Sequence, residues 1–442
     1  MKRATLLTLF AVSLLSACSS IKYQPIETIK QVDINSGYRV YDVLSKNKTR
    51  KNLIILMFSG GGNRAASLGY GVLEQFAKTP IHPTAKGDTL LENIDLVYGV
   101  SGGAVLASYF ALEGKDVIPK FENKFLSRNF QKEIVNRVFS FSNMWRLSSP
   151  QFGRGDLLKE QLNLALFKGK TFNDLLHYRK GPFAVISATD MNIGQRINFT
   201  QEDFDHLCLN LEKVEIAKAV AASSSVPLIF TPLTFNNNGG NCHYNPSAQL
   251  VNFGGHLKNK SILKSKIDPY KNSQQRPFIH LVDGGLTDNL GLRSLLDLYD
   301  LLGEKGIEYR LKQTHLKNII VININAQNQI SNEVDKSADI PSTVDIVNSV
   351  IKVPIDNNSH NTLLSFRNMI DEWNKKSKNT IKIHFASLNL KDLPPSQLRD
   401  DVLNISTSLY LPTAEVNNLK KAATILLNQS AEYQQILTLL QH

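Results

Sequence analysis

The chain has 442 residues, 42% of them apolar and 20% charged, with no low-complexity tract or internal repeat. That composition supports one large core or two smaller ones and excludes an intrinsically disordered chain. The formal net charge is +11, but the excess is diffuse and comes with no aromatic-interleaved basic helix or nucleic-acid motif. An anionic membrane surface is therefore a better partner than nucleic acid.

Lys2 and Arg3 precede an apolar run, Ala4 to Leu15, that is too short to cross a bilayer as a mature helix, so residues 1–17 read as a secretion signal. The run ends in Leu15-Ser16-Ala17-Cys18, which resembles the lipobox of bacterial lipoproteins. The resemblance implies cleavage before Cys18, acylation of its thiol and, with Ser19 rather than Asp following, sorting to the outer membrane of a bacterial envelope. Each buried acyl methylene contributes about 0.8 kcal/mol, so such a terminus holds a protein on a membrane without a spanning helix. Loss of Lys2 and Arg3 leaves 48 basic against 39 acidic residues, a net +9. Cys208 and Cys242 then remain, and in an oxidising compartment they either pair or stand as independent thiols.

Residues 18–48 are polar without a sustained period and read as a lipidated tether. A folded domain is expected over 49–442, with a helical extension from about 330. Its first strand is the apolar run Lys51 to Phe58, bounded by glycines as a strand buried on both faces would be, and a helix follows from about Ala65 to Ala77. Ile94 to Tyr98 repeats the pattern, leading through Gly99 into a helical segment, Ala104 to Leu112. Two strand-turn-helix units in succession indicate α/β architecture.

Further strands are expected at Phe183 to Ala188, Phe278 to Val282, Ile319 to Ile324 and Ile381 to Phe385, with an amphipathic last helix over Thr413 to Leu440. Phe235 to Pro246 and His256 to Lys271 read as surface loops. The segment Phe121 to Trp145 interleaves six aromatics with basic residues, and a core-facing helix is the preferred reading over an acyl-chain pocket or an interfacial lid.

Three motifs carry chemistry. Gly99-Val100-Ser101-Gly102-Gly103 satisfies G-x-S-x-G between a strand and a helix, where a sharp turn projects the serine hydroxyl. Ser59-Gly60-Gly61-Gly62-Asn63-Arg64 also lies between a strand and a helix, and its uncovered backbone N–H groups suit an oxyanion, at about 3 kcal/mol per donor in other hydrolases. A phosphate-binding loop fits less well, because Ala65 stands where G-x-G-x-x-G needs its last glycine and no G-x-x-x-x-G-K-[ST] is present. Asp283-Gly284-Gly285 ends a strand-like run, and a carboxylate there needs only hydrogen-bond reach of Ser101 to act as its base.

The order of these motifs resembles the patatin-like phospholipases, a family of Ser/Asp dyad lipid acyl hydrolases. Two further blocks support it, Ala188 to Gly194 (ATDMNIG) and Ala219 to Pro232 (AVAASSSVPLIFTP), so the resemblance spans roughly Leu53 to Leu292. It implies a three-layer α/β/α fold with a central, mostly parallel sheet, neither metal nor cofactor, and a phospholipid or lysophospholipid substrate. It makes Ser101 the nucleophile within an elbow that includes Gly99 and Gly103, Asp283 the base with Gly284 and Gly285 beside it, and the amides of Gly60, Gly61 and Gly62 the oxyanion hole. Arg64 occupies the family's basic position, and Ala65, where glycine is usual, is expected to alter helix packing more than donor geometry. A histidine triad would use His384, whereas His280 reads as structural. The contrasting function is a non-catalytic envelope lipoprotein that uses the fold for lipid binding or assembly.

Overall fold

Asn52–Phe58 (β1) and Leu96–Val100 (β2) carry apolar side chains on both faces and are buried along nearly their whole length, so they sit at the centre of a sheet. The computed structural model describes residues 21–46, 50–81, 88–328, 333–376 and 381–441; the expected signal segment and Cys18 lie outside them. The other strands are β3 (Phe183–Asp190), β4 (Gln195–Asn198), β5 (Leu233–Asn236), β6 (Phe278–Val282), β7 (Asn318–Asn325) and β8 (Lys382–Asn389). They run in the order β5-β6-β3-β2-β1-β7-β8, with β4 paired to β3. From β3 to β8 neighbours along this path are parallel, and antiparallel pairing is confined to β3–β4, β3–β6 and β5–β6.

Helices cover both faces. α1 (Gly62–Phe76) and α2 (Gly102–Glu113) are buried almost all round, because α1 is packed on its outer side by α3 (Thr413–Gln429) and α2 lies beside α1. The opposite face is covered by Arg293–Leu311 and the 33-residue helix Thr343–Lys375. Between that pair and the sheet lies an apolar cavity of about 170 Å³, lined among others by Leu53, Ile55, Tyr98, Leu295 and Trp373. This is the expected three-layer α/β/α arrangement. The register pairs Phe58 with Gly99 and Val100 with Ser187, so the turns that follow β1 and β2 emerge side by side at one end of the sheet.

All six expected strands are present; β4 and β5 are additional. Each has only four residues, and the alternation of β5, Leu233-Thr234-Phe235-Asn236, spans two periods, the shortest that can mark a strand. β5 takes in the first residues of the expected loop at Phe235, and the expected loop His256 to Lys271 contains the helix Lys260–Ile267. The expected last helix divides at Ser430, whose hydroxyl accepts the Tyr433 N–H (3.2 Å) and starts the second piece, Ala431–Gln441.

The stretch expected to be a tether packs on the fold from Ile21 onward: the Tyr38 hydroxyl is fully buried and donates to the Ala184 carbonyl (2.9 Å), Arg39 forms a buried ion pair with Asp205 (2.9 Å), and the Tyr23 hydroxyl donates to Asn236 (3.0 Å). Polar composition concealed these anchors because they are single aromatic and charged side chains without a period. Cys208 and Cys242 are joined in a disulfide. The aromatic segment divides: Phe121, Phe125 and Phe130 enter the core, while Phe139, Phe141 and Trp145 point to solvent, so a core-facing reading holds only for its first half.

Candidate active site

Ser101 follows the last residue of β2 and precedes the first of α2, with φ 52° and ψ −121°. A positive φ at a non-glycine residue costs on the order of 1–3 kcal/mol and persists only where neighbours impose it. They do so here. The Ser101 N–H donates to Ser223 Oγ (2.9 Å), and that hydroxyl donates in turn to the Ser187 carbonyl on β3 (2.6 Å). The turn is closed by backbone packing that admits no side chain: a Cβ at Gly102 would lie 1.9 Å from the Gly62 carbonyl oxygen, and one at Gly103 would lie 2.6 Å from the Phe58 and Ser59 carbonyl oxygens. Gly99 has the same role, since a Cβ there would lie 2.6 Å from the Ala104 Cα.

Asp283 follows β6 and is held by the segment just after the helix Ile216–Ser223. Its N–H donates to the Ser225 carbonyl (3.0 Å), and the Gly284 N–H donates to the Ser223 carbonyl (3.1 Å). Ser223 thus fixes both Ser101 and the loop of Asp283. Gly284 must be glycine, because a Cβ would meet the Ser187 carbonyl oxygen at 2.3 Å. The Gly285 N–H donates to Asp283 Oδ1 (2.8 Å). Burial pushes the Asp283 carboxyl up to about 6, and this outweighs the Gly285 N–H and the adjacent Ser101 hydroxyl, which both favour the ionised form. Neither Ser223 nor Ser225 stood out in the sequence beyond their place in the small-residue block Ala219 to Pro232.

The glycine loop narrows the expected donor set. The Gly60 N–H already donates to the Asn289 carbonyl (3.0 Å), which removes it from the expected oxyanion donors. Arg64 is buried, and its Nε and Nη1 donate to the carbonyls of Ala326 (2.7 Å) and Ile405 (2.6 Å). It braces the loop against β7 and the C-terminal region, and burial lowers its pKa to about 10. The amides of Gly61 and Gly62 find no acceptor among the described residues. Loop and elbow touch: a Cβ at Gly60 would lie 3.6 Å from Ser101 Cβ.

Elements outside the motifs close over the site. Asn358, on the helix Thr343–Lys375, donates from Nδ2 to the Thr287 carbonyl just beyond the Asp-Gly-Gly turn (2.9 Å). Behind the turn, Arg196 lies 3.6 Å from the buried Asp288 and 2.5 Å from Asp297.

His384 is remote from this constellation. It pairs in register with Ile320, itself level with Ile54 on β1, and its Nε2 bonds Asn318 (3.1 Å). Ser101 lies six residues further along the sheet, roughly 20 Å away at 3.3 Å per residue. His280 lies on β6 opposite Thr234, and its carbonyl accepts the Met191 N–H (2.9 Å). Among the described residues no group of three or more His, Cys, Asp or Glu side chains is arranged to hold a metal ion.

The arrangement is that of a hydroxyl on a strained turn, a desolvated carboxylate beside it and backbone N–H groups within the same few ångströms. Human GIVD cytosolic phospholipase A2 is similar in structure at a TM-score of 0.46 and 13% identity, over 95% of this chain and 68% of that one. The same human enzyme in complex with methyl gamma-linolenyl fluorophosphonate gives 0.42 and 11%, over 88% and 59%. No curated protein sequence gives a match. The sequence pattern of patatin-like phospholipases matches residues 56–296, more than half of the chain and the whole stretch from the glycine loop through the Asp-Gly-Gly turn. The chain therefore belongs to the patatin-like phospholipase family of lipid-hydrolysing enzymes.

Proposed function

We propose that the chain is a serine lipid acyl hydrolase that cleaves a carboxylic ester of phospholipid or lysophospholipid through an acyl-Ser101 intermediate, with Asp283 as base. The observation that carries this reading is the Ser101 hydroxyl beside a buried carboxylate raised to about 6. At neutral pH that carboxylate is mostly ionised, yet it is a stronger base than an ordinary aspartate. Asp283 takes the hydroxyl proton as Ser101 Oγ attacks the ester carbonyl, and the oxyanion that forms is received by the Gly61 and Gly62 amides. Collapse expels the alcohol, which recovers the proton from Asp283. Water, deprotonated by the same carboxylate, then attacks the acyl carbon; Ser101 Oγ leaves, recovering that proton from Asp283, and the fatty acid departs.

The same proposal places the enzyme on the outer membrane of a bacterial envelope through acylated Cys18, with residues 1–17 removed and the hydrolase domain following. The Cys208–Cys242 disulfide suits such an oxidising compartment. No helix among the described residues is long and apolar enough to cross a membrane, so the acyl chains would supply the attachment.

The test is fatty-acid release from phospholipid vesicles, comparing wild type with Ser101→Ala. A loss of at least roughly a thousandfold with the circular dichroism spectrum retained is expected. Undiminished release by folded Ser101→Ala would exclude the acyl-serine route, and the absence of a fluorophosphonate adduct on the wild type by intact mass would do the same.

A further inference from the structure

The short helix Phe141–Leu147 is inside out. Two of its polar residues face the protein: Asn143 is buried with its Nδ2 donating to the Arg137 carbonyl (2.9 Å), and Arg146 reaches back to pair with Glu160. Its apolar residues face outward. Phe139, Phe141, Met144 and Trp145 are 76%, 78%, 58% and 59% exposed, four large side chains within seven residues. A helix held by polar bonds with its apolar side turned away from the protein is built for a non-aqueous neighbour.

We infer that this helix, with Phe139, is an interfacial seat that docks the enzyme on an anionic phospholipid bilayer beside its own lipid anchor. The proposal rests on the reading of Cys18 as the acylated residue. Three observations select a bilayer as the occupant. The Ile21 carbonyl accepts from the Ser149 hydroxyl (2.8 Å) and the Tyr23 N–H donates to Gln151 (2.7 Å), so the first described residues lie against the segment that follows this helix. Cys18 is three residues before Ile21, a reach of about 10 Å at full extension, so an acyl group on Cys18 would lie close to this face.

Charge is complementary as well. Residues 128–160 hold Arg128, Lys132, Arg137, Arg146, Arg154 and Lys159 against Glu133, Asp156 and Glu160, a net +3; Arg128 pairs with Glu133, and Arg137 and Arg146 share Glu160. Finally, the apolar track continues toward the reaction centre. Arg154 donates to the Leu228 carbonyl (2.9 Å); Leu228 and Ile229 are 63% and 55% exposed, and they follow Ser225, whose carbonyl holds Asp283. Leu228 takes a positive φ of 72°, an uncommon conformation for a bulky residue, and its side chain stays in solvent. The anchor fixes the distance from the membrane, and the seat fixes which side faces it.

The experiment uses the chain from Ser19 onward, which retains every described residue and has no acylation site. Of its two tryptophans, Trp373 is buried and donates to the Ile381 carbonyl (3.0 Å), so Trp145 reports on the seat. Vesicles of phosphatidylcholine with phosphatidylglycerol should shift its emission to the blue, more than phosphatidylcholine alone, and Trp145→Phe should abolish the shift. Phe139→Ser, Phe141→Ser and Met144→Ser combined should lower vesicle partitioning at least roughly tenfold. Hydrolysis of a short, monomeric ester should stay within about twofold, which separates the seat from the proposed chemistry at Ser101.

Equal partitioning of the triple variant, or no shift on either vesicle, overturns the seat. So does light scattering that shows a wild-type dimer, a monomeric variant and no vesicle binding, because a second copy would then cover the patch. Intact mass of the full chain isolated from membranes tests the anchor separately: an unacylated Cys18 overturns the adjacency on which the proposal rests and leaves the Ser101 chemistry untouched.

Discussion

Two buried aspartates lie at opposite ends of the sheet, and burial raises both to about 6. Asp95, just before β2, accepts from the Ile54 N–H (2.9 Å) and from Arg50 (2.7 Å), so it joins the starts of β1 and β2. A mixed-charge cavity of about 630 Å³ opens beside it. Asp283, beyond the other end, accepts from the Gly285 N–H and lies beside the Ser101 hydroxyl, with no cation contributing. A raised pKa therefore does not distinguish a structural carboxylate from a candidate base. What differs is the partner, which is a guanidinium in one case and a hydroxyl on a strained turn in the other.

The largest contrast is expected in rate. Asp283→Asn should reduce fatty-acid release by at least roughly a thousandfold, whereas Asp95→Asn should leave the rate per folded molecule within about twofold. If the two variants lost activity alike, the distinction between the sites would collapse. Next comes pH dependence: kcat/KM should climb about tenfold per pH unit below 6 and level off above 7 as Asp283 ionises. A flat profile between pH 4.5 and 7 would remove Asp283 as the base.

Stability should move opposite to rate. A carboxyl whose folded pKa lies above its unfolded value stabilises the protein below the unfolded pKa, near 3.8, and that contribution is lost as pH rises through about 6. At pH 7 the penalty is about 3 kcal/mol. Asp283→Asn should therefore raise Tm at pH 7, with a smaller gain at pH 4; a lower Tm at pH 7 would show that its partners outweigh its burial. At pH 4, where the folded carboxyls are mostly protonated and this penalty is small, Asp95→Ala should lower stability by about 1–3 kcal/mol, because the Ile54 N–H loses its acceptor, and urea denaturation measures this. The smallest effect is expected for His384→Ala, with hydrolysis unchanged within about twofold, because its position rules out a role in proton transfer.

Features tied to a backbone constraint were legible in the sequence. β1 and β2 are buried on both faces and so read as continuous apolar runs, while the elbow and the Asp-Gly-Gly turn need glycines where a Cβ would strike a carbonyl. Partnerships across the chain were not legible. Nothing local marks Ser223 as the acceptor for the Ser101 N–H, nor shows that the Gly60 amide is already taken by Asn289. The acceptors of Arg64 are backbone carbonyls, which any residue supplies. The strap from Ile21 reads as a tether for the same reason, since Tyr38 and Arg39 find their partners in Ala184 and Asp205.

The brace on the glycine loop also bears on when the site forms. The Asn63 N–H donates to the Ser408 carbonyl (2.7 Å), and Arg64 to that of Ile405, 341 residues along the chain. During synthesis β1 and its loop emerge long before these acceptors exist, and contacts of such separation close late in folding. A partly made chain therefore carries Ser101 before the residues that brace the neighbouring glycine loop exist.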